Sequence, residues 1–489
     1  MNTGGTAEKK TGLSYWMHQV LREADKAEQS FDPDSVHDLR VAIRRCRSMA
    51  EGFQAVDPEP SWKKMRKTGK ELFGSLGELR DIHVMMEWTG KLGTAEDPVT
   101  QRLLEYAKDR EQSLKTEAAD ALKKFDREHW QEFARLLPHR GLPLIRSRLR
   151  MGSGPFQCIA LERWEAAHRL HRTAMKTRSQ ASLHRLRIGV KKFRYIVENF
   201  LPQLHEAWSD DLKEIQDLLG EVHDMDVLRE TAIRIHAFSG VTASHASEDR
   251  LRWERRIGEE RGQRVEKYRA KMTGHDSLWS RWRAGLPQGR EAEQAVYKKL
   301  SVWAAFLDPD VRHSQRIVRL TLQLYDGLVR IGVLEASDSH ERELLRAAAI
   351  VHDVGRAKGN AGHHKFTQRM VAKLDPPFGW KQEDISMVAL IARYHRGALP
   401  GEQKKFLSLA PDLQMVTRRL AGVLRLADAL DRSHDGAVHR LKLVKHGNFV
   451  VVHADGLDHG CSMAETIAGA RYLLEESCGV PVVVRPMAG

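Results

Sequence analysis

Residues 36–53, VHDLRVAIRRCRSMAEGF, recur as LHRLRIGVKKFRYIVENF at 183–200. His37 aligns with His184, Arg40 with Arg187, Arg44 and Arg45 with Lys191 and Lys192, Arg47 with Arg194, and Phe53 with Phe200. A second pair of blocks follows in the same order. KELFGSLGELRDIHVM (70–85) and KEIQDLLGEVHDMDVL (213–228) match at Lys70 and Lys213, Gly77 and Gly220, Glu78 and Glu221, and Asp81 and Asp224. Two ordered copies require two similar folding units, so residues up to about 290 are constrained as a tandem repeat before composition is considered.

Both copies carry a helical period. Val36, Leu39, Ile43, Cys46 and Ala50 fall on one apolar stripe. His37, Arg40, Arg44 and Arg47 form a second stripe beside it, repeated as His184, Arg187, Lys191 and Arg194. Asp32 and Pro33 suit the cap and first turn of the first of these helices. Few strand signals intervene, which predicts antiparallel helical bundles. Like charges at i, i+3 and i, i+4 repel, and no acidic residue interrupts the stripe between Arg40 and Arg47. Two such helices facing across a groove would focus their field on an anion. The competing explanation is pairing with Glu78, Asp81, Glu221 and Asp224 of the companion helices.

The chain has 489 residues and a formal charge of +13. Residues 1–290 hold 52 Lys and Arg against 43 Asp and Glu, so most of the excess lies with the repeat. A polyanion is therefore the expected partner. Nucleic acid is disfavoured, because single-strand binding needs aromatic platforms among the basic residues. Aromatics make up only 7% of the chain, and Phe193 and Tyr195 are expected in the core.

The paired VHDLRVAIRR and LHRLRIGVKK stretches, each followed by a Leu-Gly-x-x-x-Asp block, resemble the CHAD domain, a histidine-containing all-helical domain, over about residues 10–285. The resemblance implies two pseudo-symmetric four-helix bundles and inorganic polyphosphate bound in a basic central channel. The residues it implicates are His37, Arg40, Arg44, Arg47, His184, Arg187, Lys191 and Arg194. The two halves differ before the second block: WKKMRKTGK (62–70) offers Lys63, Arg66, Lys67 and Lys70 on one face, while WSDDLKE (208–214) is acidic apart from Lys213. These five cations are added to the expected polyphosphate site, with one side holding the chain more strongly.

Gly285, Pro287 and Gly289 mark a linker within 272–296, with a boundary near 288. Beyond it, apolar helices carry His313, His352 with Asp353, and Asp428, while GHHKF and ARYHRG supply His363, His364 and His395. A carboxylate among Leu424, Leu426, Ala427 and Leu430 is costly to bury unless a cation pairs it. Imidazole and carboxylate together suit a divalent metal.

This order resembles the HD superfamily of metal-dependent phosphohydrolases. More narrowly, RAAAIVHDVG, HHKF, ARYHRGALP and LRLADALDRSH resemble the C-terminal module of the exopolyphosphatase and guanosine-pentaphosphate phosphatase family, over about 291–440. The resemblance implies His313, His352, Asp353 and Asp428 as ligands, with His364 and His395 completing a second position. His352, Asp353 and Arg396 would carry catalysis. Arg356, Lys358, Lys365, Arg393 and Arg396 lie near the ligands and could hold phosphates. That family hydrolyses phosphoanhydrides in an N-terminal actin-like domain, and this chain has no Gly-rich phosphate loop of that type.

The reading is a mainly α protein: a CHAD-like domain at 1–287, an all-helical HD domain at 288–440, and a small strand-strand-helix-strand α/β extension at 441–489. It would bind polyphosphate and use a divalent metal (Mg, Mn, Zn or Fe) to hydrolyse polyphosphate or a phosphorylated nucleotide such as guanosine polyphosphate. The alternative is a non-enzymatic polyphosphate-binding or targeting protein with an inert HD module. No apolar run reaches the ~18 residues of a membrane span, and MNTGGTAEKKTGLSYW lacks a signal-peptide core. Cys46, Cys158, Cys461 and Cys478 read as reduced thiols. The expected location is cytoplasmic, including polyphosphate granules, and a homodimer is compatible with the sequence.

Overall fold

The structure, a computed structural model, describes residues 12–140, 146, 148–238, 243–335, 339–401, 403–457 and 463–487. The chain divides into two compact units, Met1–Glu291 and Ala292–Gly489.

The first unit contains α1 (Leu13–Gln29), α2 (Pro33–Gln54), α3 (Pro60–Thr68), α4 (Lys70–Leu92), α5 (Pro98–Lys123), α6 (Arg127–Leu136), α7 (Gly154–Thr177), α8 (Gln180–Phe200), α9 (Pro202–Arg234), α10 (Ala243–Met272) and α11 (Leu278–Gly285). The expected cap is present. Asp32 Oδ1 accepts from the backbone N–H of Asp34 and Ser35, each at 2.9 Å, with Pro33 in the first turn. All five residues of the apolar stripe on α2 are buried, as are Leu183, Leu186, Val190, Phe193 and Val197 of α8.

The repeat governs packing as well as sequence. Within each half, sequential helices pair: α1 with α2 and α4 with α5, then α7 with α8 and α9 with α10. Between halves each repeated helix meets its own equivalent, α2 against α8 and α4 against α9. Phe53 and Phe200, which align in sequence, touch edge to face with centroids 5.1 Å apart. Ser48 Oγ accepts from Asn199 Nδ2 at 2.9 Å across the same joint. Gly52 lets Phe200 approach, since a Cβ there would lie inside the phenyl ring. At the other end, Met85, Trp88, Leu103, Met225, Leu228 and Trp253 share one buried cluster.

The halves also differ. WKKMRKTGK is not one helix: it breaks at Gly69, between α3 and α4, whereas α9 runs unbroken for 33 residues. A Cβ on Gly69 would sit 3.3 Å from the Trp130 ring of α6, so α6 packs tightly where α3 and α4 meet.

The second unit begins within α12 (Gly289–Ala305) and continues through α13 (Val311–Arg330), α14 (Ser339–Val351), α15 (His363–Val371), α16 (Gln382–Arg393), α17 (Lys404–Leu407) and α18 (Pro411–Ala429). The tail then forms β1 (Arg440–His446), β2 (Phe449–Asp455), α19 (Ala464–Cys478) and β3 (Val482–Pro486), the expected strand-strand-helix-strand order. β1 and β2 are antiparallel, with Leu443 opposite Val452, and β2 and β3 are parallel through the α19 crossover. The hairpin turns at Gly447, whose φ of +55° suits a glycine. The extension is seated by two glycines. A Cβ on Gly327 of α13 would meet Leu443 at 2.8 Å, and one on Gly422 of α18 would meet the Leu474 backbone at 2.8 Å.

Cys46, Cys158 and Cys478 are free thiols, and Cys461 lies outside the described residues. No described helix is long and apolar enough to cross a membrane.

Candidate functional site

The two cationic stripes converge. The carboxylate of Asp81 feels Arg40 from its own half and Arg187 and Lys191 from the other, while burial pushes its pKa up. Asp224 is pushed up to about 6 by burial, against the pull of Arg187. Burial and the neighbouring Arg187, Arg44 and Arg40 push Lys191 down to about 7. His37 is depressed by burial and by Arg80, and His223, packed 4.9 Å from the His184 ring, is pushed to about 4 by burial and Arg187. Arg80 and His223 align in the repeat and join the cluster, although the stripe pattern did not mark them.

The pairing expected to compete with an anion divides in two. Glu78 turns to Arg110 at 3.3 Å and Glu221 to Arg264, both on other helices. Asp81 and Asp224 stay at the stripes, too few to neutralise them. Buried donors are left over: Arg40 Nη1, Arg187 Nε and the Tyr195 hydroxyl have no hydrogen-bond partner, while Arg194 Nε has the Glu198 carboxylate at 3.8 Å. Tyr195 is therefore not a core residue like Phe193. Its ring lies 6.0 Å from the Arg44 guanidinium, and Phe73 lies under Arg40 and Arg47 at 5.2 and 5.1 Å.

Other expected contributors are differently placed. Arg47 donates to the Arg66 carbonyl at 2.8 Å, and Arg66 donates to Gln54 at 2.9 Å, so both brace α2 against α3. Lys63, Lys67 and Lys70 are exposed on the basic side. Lys213 lines a cleft with Asp210, Glu214, Asp217 and Glu221, where carboxylates surround it.

In the second unit, three histidines are aimed by the same device and a fourth by a carboxylate. His352 Nδ1 lies 2.9 Å from the Ala349 carbonyl, His363 Nδ1 2.9 Å from Asn360 O, and His395 Nδ1 2.6 Å from Ala392 O. A carbonyl only accepts, so each Nδ1 carries a proton and each Nε2 points inward, offering a lone pair when the ring is neutral. The fourth, His313, turns Nδ1 to Asp431 Oδ2 at 2.7 Å. All four rings are buried, as are Asp353 and Asp428.

The inward atoms form two adjoining groups. His363 Nε2, His395 Nε2 and Asp353 Oδ1 lie 3.1 to 3.7 Å apart. His313 Nε2 and His352 Nε2 lie 3.4 and 3.8 Å from Asp428 Oδ1, and His352 Nε2 is 3.9 Å from Asp353 Oδ2. The ligand atoms of His313, His352 and Asp353, and those of Asp353, His363 and His395, fall within 4.8 Å of one another. His313 Nε2, His352 Nε2 and Asp353 Oδ1 have no hydrogen-bond partner. These groups could hold a metal ion.

Charge follows the geometry. Burial resists protonation of His313, but Asp428 and Asp431 overcome it and push the ring up to about 9. Burial would raise Asp353, yet the surrounding His352, His363 and His395 hold it well below the carboxylate range. Burial likewise opposes ionised Asp428, and His313, His395 and Arg396 hold it down. Burial, helped by the neighbouring His352, pushes His395 to about 3 against the pull of Asp428 and Asp353.

The structure turns the second of two adjacent histidines outward. His363, not His364, joins the cluster. His364 is half-buried beside Gly397, and burial together with Arg393 pushes it to about 4. Sequence reading also missed Asp431, which orients His313 and accepts from Arg316 Nε at 2.8 Å. Arg356 reaches Asp353 Oδ2 at 3.1 Å, and Arg396 grips Asp428 through Nε at 2.8 Å and Nη2 at 3.2 Å. Lys358 and Lys365 are exposed.

Residues 15–232 match the CHAD domain family, and residues 300–454 match the family described as Ppx/GppA phosphatase, domain III. The chain thus joins a region similar to CHAD domains to a region similar to domain III of exopolyphosphatase-like phosphatases. Among solved structures it is similar to the CHAD domain from the plant Ricinus communis, at 23% identity and a TM-score of 0.37, covering 56% of this chain and 88% of that one. The CHAD match takes in α1 to α9 up to residue 232, and so both cationic stripes. The domain III match takes in His313, His352, Asp353, His363, His395 and Asp428, and ends in β2.

Proposed function

We propose that the CHAD domain captures inorganic polyphosphate and that domain III is an HD-type, metal-dependent phosphohydrolase acting on polyphosphate or a phosphorylated nucleotide such as a guanosine polyphosphate. One observation carries the metal. His363 Nε2, His395 Nε2 and Asp353 Oδ1 lie within 3.7 Å of one another in a buried site, with each ring's Nδ1 proton spent on a backbone carbonyl. With both rings neutral such a group is repulsive, and a cation among its lone pairs, a proton or a metal ion, relieves it. Four imidazoles against two carboxylates favour zinc or iron over magnesium, with manganese between.

A divalent ion bound there would polarise a phosphoryl oxygen and bring a bound water toward a pKa of ~7. The chain's own residues do the rest. The Ala349, Asn360 and Ala392 carbonyls and Asp431 fix each ring's tautomer and direction. Arg356 and Arg393, beside the cluster, offer guanidinium groups to phosphate oxygens. In the CHAD domain, the unpartnered nitrogens of Arg40 and Arg187 and the Tyr195 hydroxyl offer donors to a phosphate chain without needing bases to stack on. The module limits 1–287, 288–440 and 441–489 and a cytoplasmic location belong to the same reading.

The second reading, a polyphosphate-binding protein with an inert domain III, is favoured by Arg396 covering both oxygens of Asp428. Metal analysis and a phosphate-release assay separate the two. Hydrolysis of polyphosphate or a guanosine polyphosphate that disappears in His352→Ala and Asp353→Ala supports the enzyme; stoichiometric metal without turnover on either substrate supports the binder. Polyphosphate binding should vanish when Arg40, Arg44, Arg187 and Lys191 are replaced together by glutamine, and unchanged binding would refute the stripe site.

A further inference from the structure

Each buried carboxylate around the histidine cluster already has an arginine. Asp353 has Arg356, Asp431 has Arg316, and Asp428 has Arg396. The three pairs are not equivalent. Arg356 contacts only Oδ2 of Asp353 and leaves Oδ1 among His363 and His395. Asp431 faces His313 Nδ1, behind the ring. Arg396 engages both oxygens of Asp428, including Oδ1, the atom nearest His313 Nε2 and His352 Nε2. Asp428 is thus the carboxylate whose approach to the histidines is already taken by a cation.

The two partners differ in freedom. The Asp428 side chain is 4% exposed and the Arg396 side chain 24%. Arg396 follows α16, on a turn where Gly397 adopts a φ of +76°. The backbone of that turn is tied down from α18, because Arg425 donates to the Gly397 carbonyl at 2.9 Å. Of the pair, the partly exposed guanidinium is the member placed to move while the turn is held.

We infer that Arg396 is a resident counter-ion that a divalent cation must displace from Asp428, so that the arginine sets how much metal the site needs before it fills. This rests on the metal-dependent reading above and extends it. A guanidinium and a divalent ion cannot both sit against Asp428 Oδ1 without strong mutual repulsion in a buried site. The free energy of the bidentate pair is therefore subtracted from metal binding. A charged hydrogen-bonded pair of this kind corresponds to roughly a tenfold or greater change in affinity.

The test is manganese(II) titration of the full-length, chelator-treated protein by calorimetry. Arg396→Gln should bind manganese roughly tenfold or more tightly than the parent chain. Arg396→Lys keeps the charge but not the two-point grip, and should fall between. Without metal, Arg396→Gln should melt at a lower temperature than the parent, and saturating manganese should narrow that gap. If Arg396→Gln does not fold, the lysine variant carries the comparison. Equal or weaker manganese binding by folded variants, with the parent chain binding normally, overturns the inference and leaves the metal site standing. No manganese bound by parent or variants removes the metal reading and this inference together.

Discussion

Asp431 touches no substrate and stands behind His313, yet it decides what that ring offers. Its carboxylate holds the Nδ1 proton and leaves Nε2 facing the cluster. Carboxylates in this position commonly carry 10- to 100-fold of metal affinity. Asp431→Asn should lose ~10- to 100-fold in manganese affinity with little change in far-ultraviolet circular dichroism, and a change under twofold would refute the assignment. Lys191 makes a pH prediction in the other unit. Its ordinary pKa is 10.5 and burial with three arginines depresses it to about 7. Between those values the folded chain holds the site without that proton, so stability from this group rises with pH from 7 upward. A bound polyanion restores the proton. Polyphosphate affinity should therefore fall as pH rises through 7 to 9, with proton uptake seen by calorimetry in buffers of different ionisation enthalpy. Lys191→Arg should flatten the profile.

Helix ends determine which residues meet. Gly355 follows His352 and Asp353, and a Cβ there would collide with the His363 carbonyl and lie 2.5 Å from the Thr367 nitrogen. Thr367 completes the joint, donating to the His352 carbonyl at 2.9 Å and accepting from the Gly355 N–H at 3.0 Å. Gly355→Ala should force α15 from the 352–355 turn and cost about 3 kcal/mol, read by urea unfolding, with weaker metal binding; a loss below about 0.5 kcal/mol would contradict the close contact. Elements and their order were legible in the sequence, because the repeat and the apolar stripes carry period and copy number. The order of the clustered histidines and aspartates was legible because they lie on or just after successive helices. The choice between His363 and His364 was not, since neighbouring residues point about 100° apart on a helix and the left-handed Gly362 before α15 sets which one faces inward. The tight packing of Trp130 at Gly69 was hidden for a similar reason: that ring comes from a distant part of the chain.

At the scale of the whole molecule, the function proposed above places polyphosphate with the basic first unit and a metal with the histidine cluster of the second. Hydrogen exchange read by mass spectrometry should show protection by polyphosphate within 1–291, centred on α2 and α8, and by manganese within 292–489, centred on α14 to α16 and α18. Polyphosphate protection confined to 292–489 would refute the assignment. The unequal halves of the CHAD domain carry a further consequence. Inorganic polyphosphate is a string of identical beads that reads the same from either end. A perfectly two-fold host would hold it in both senses equally. Here Lys63, Lys67 and Lys70 stand on one side, and Asp210, Glu214 and Asp217 surround Lys213 on the other. If this domain is the polyphosphate host proposed above, the two senses of a bound chain would differ in energy, giving direction to a polymer that has none.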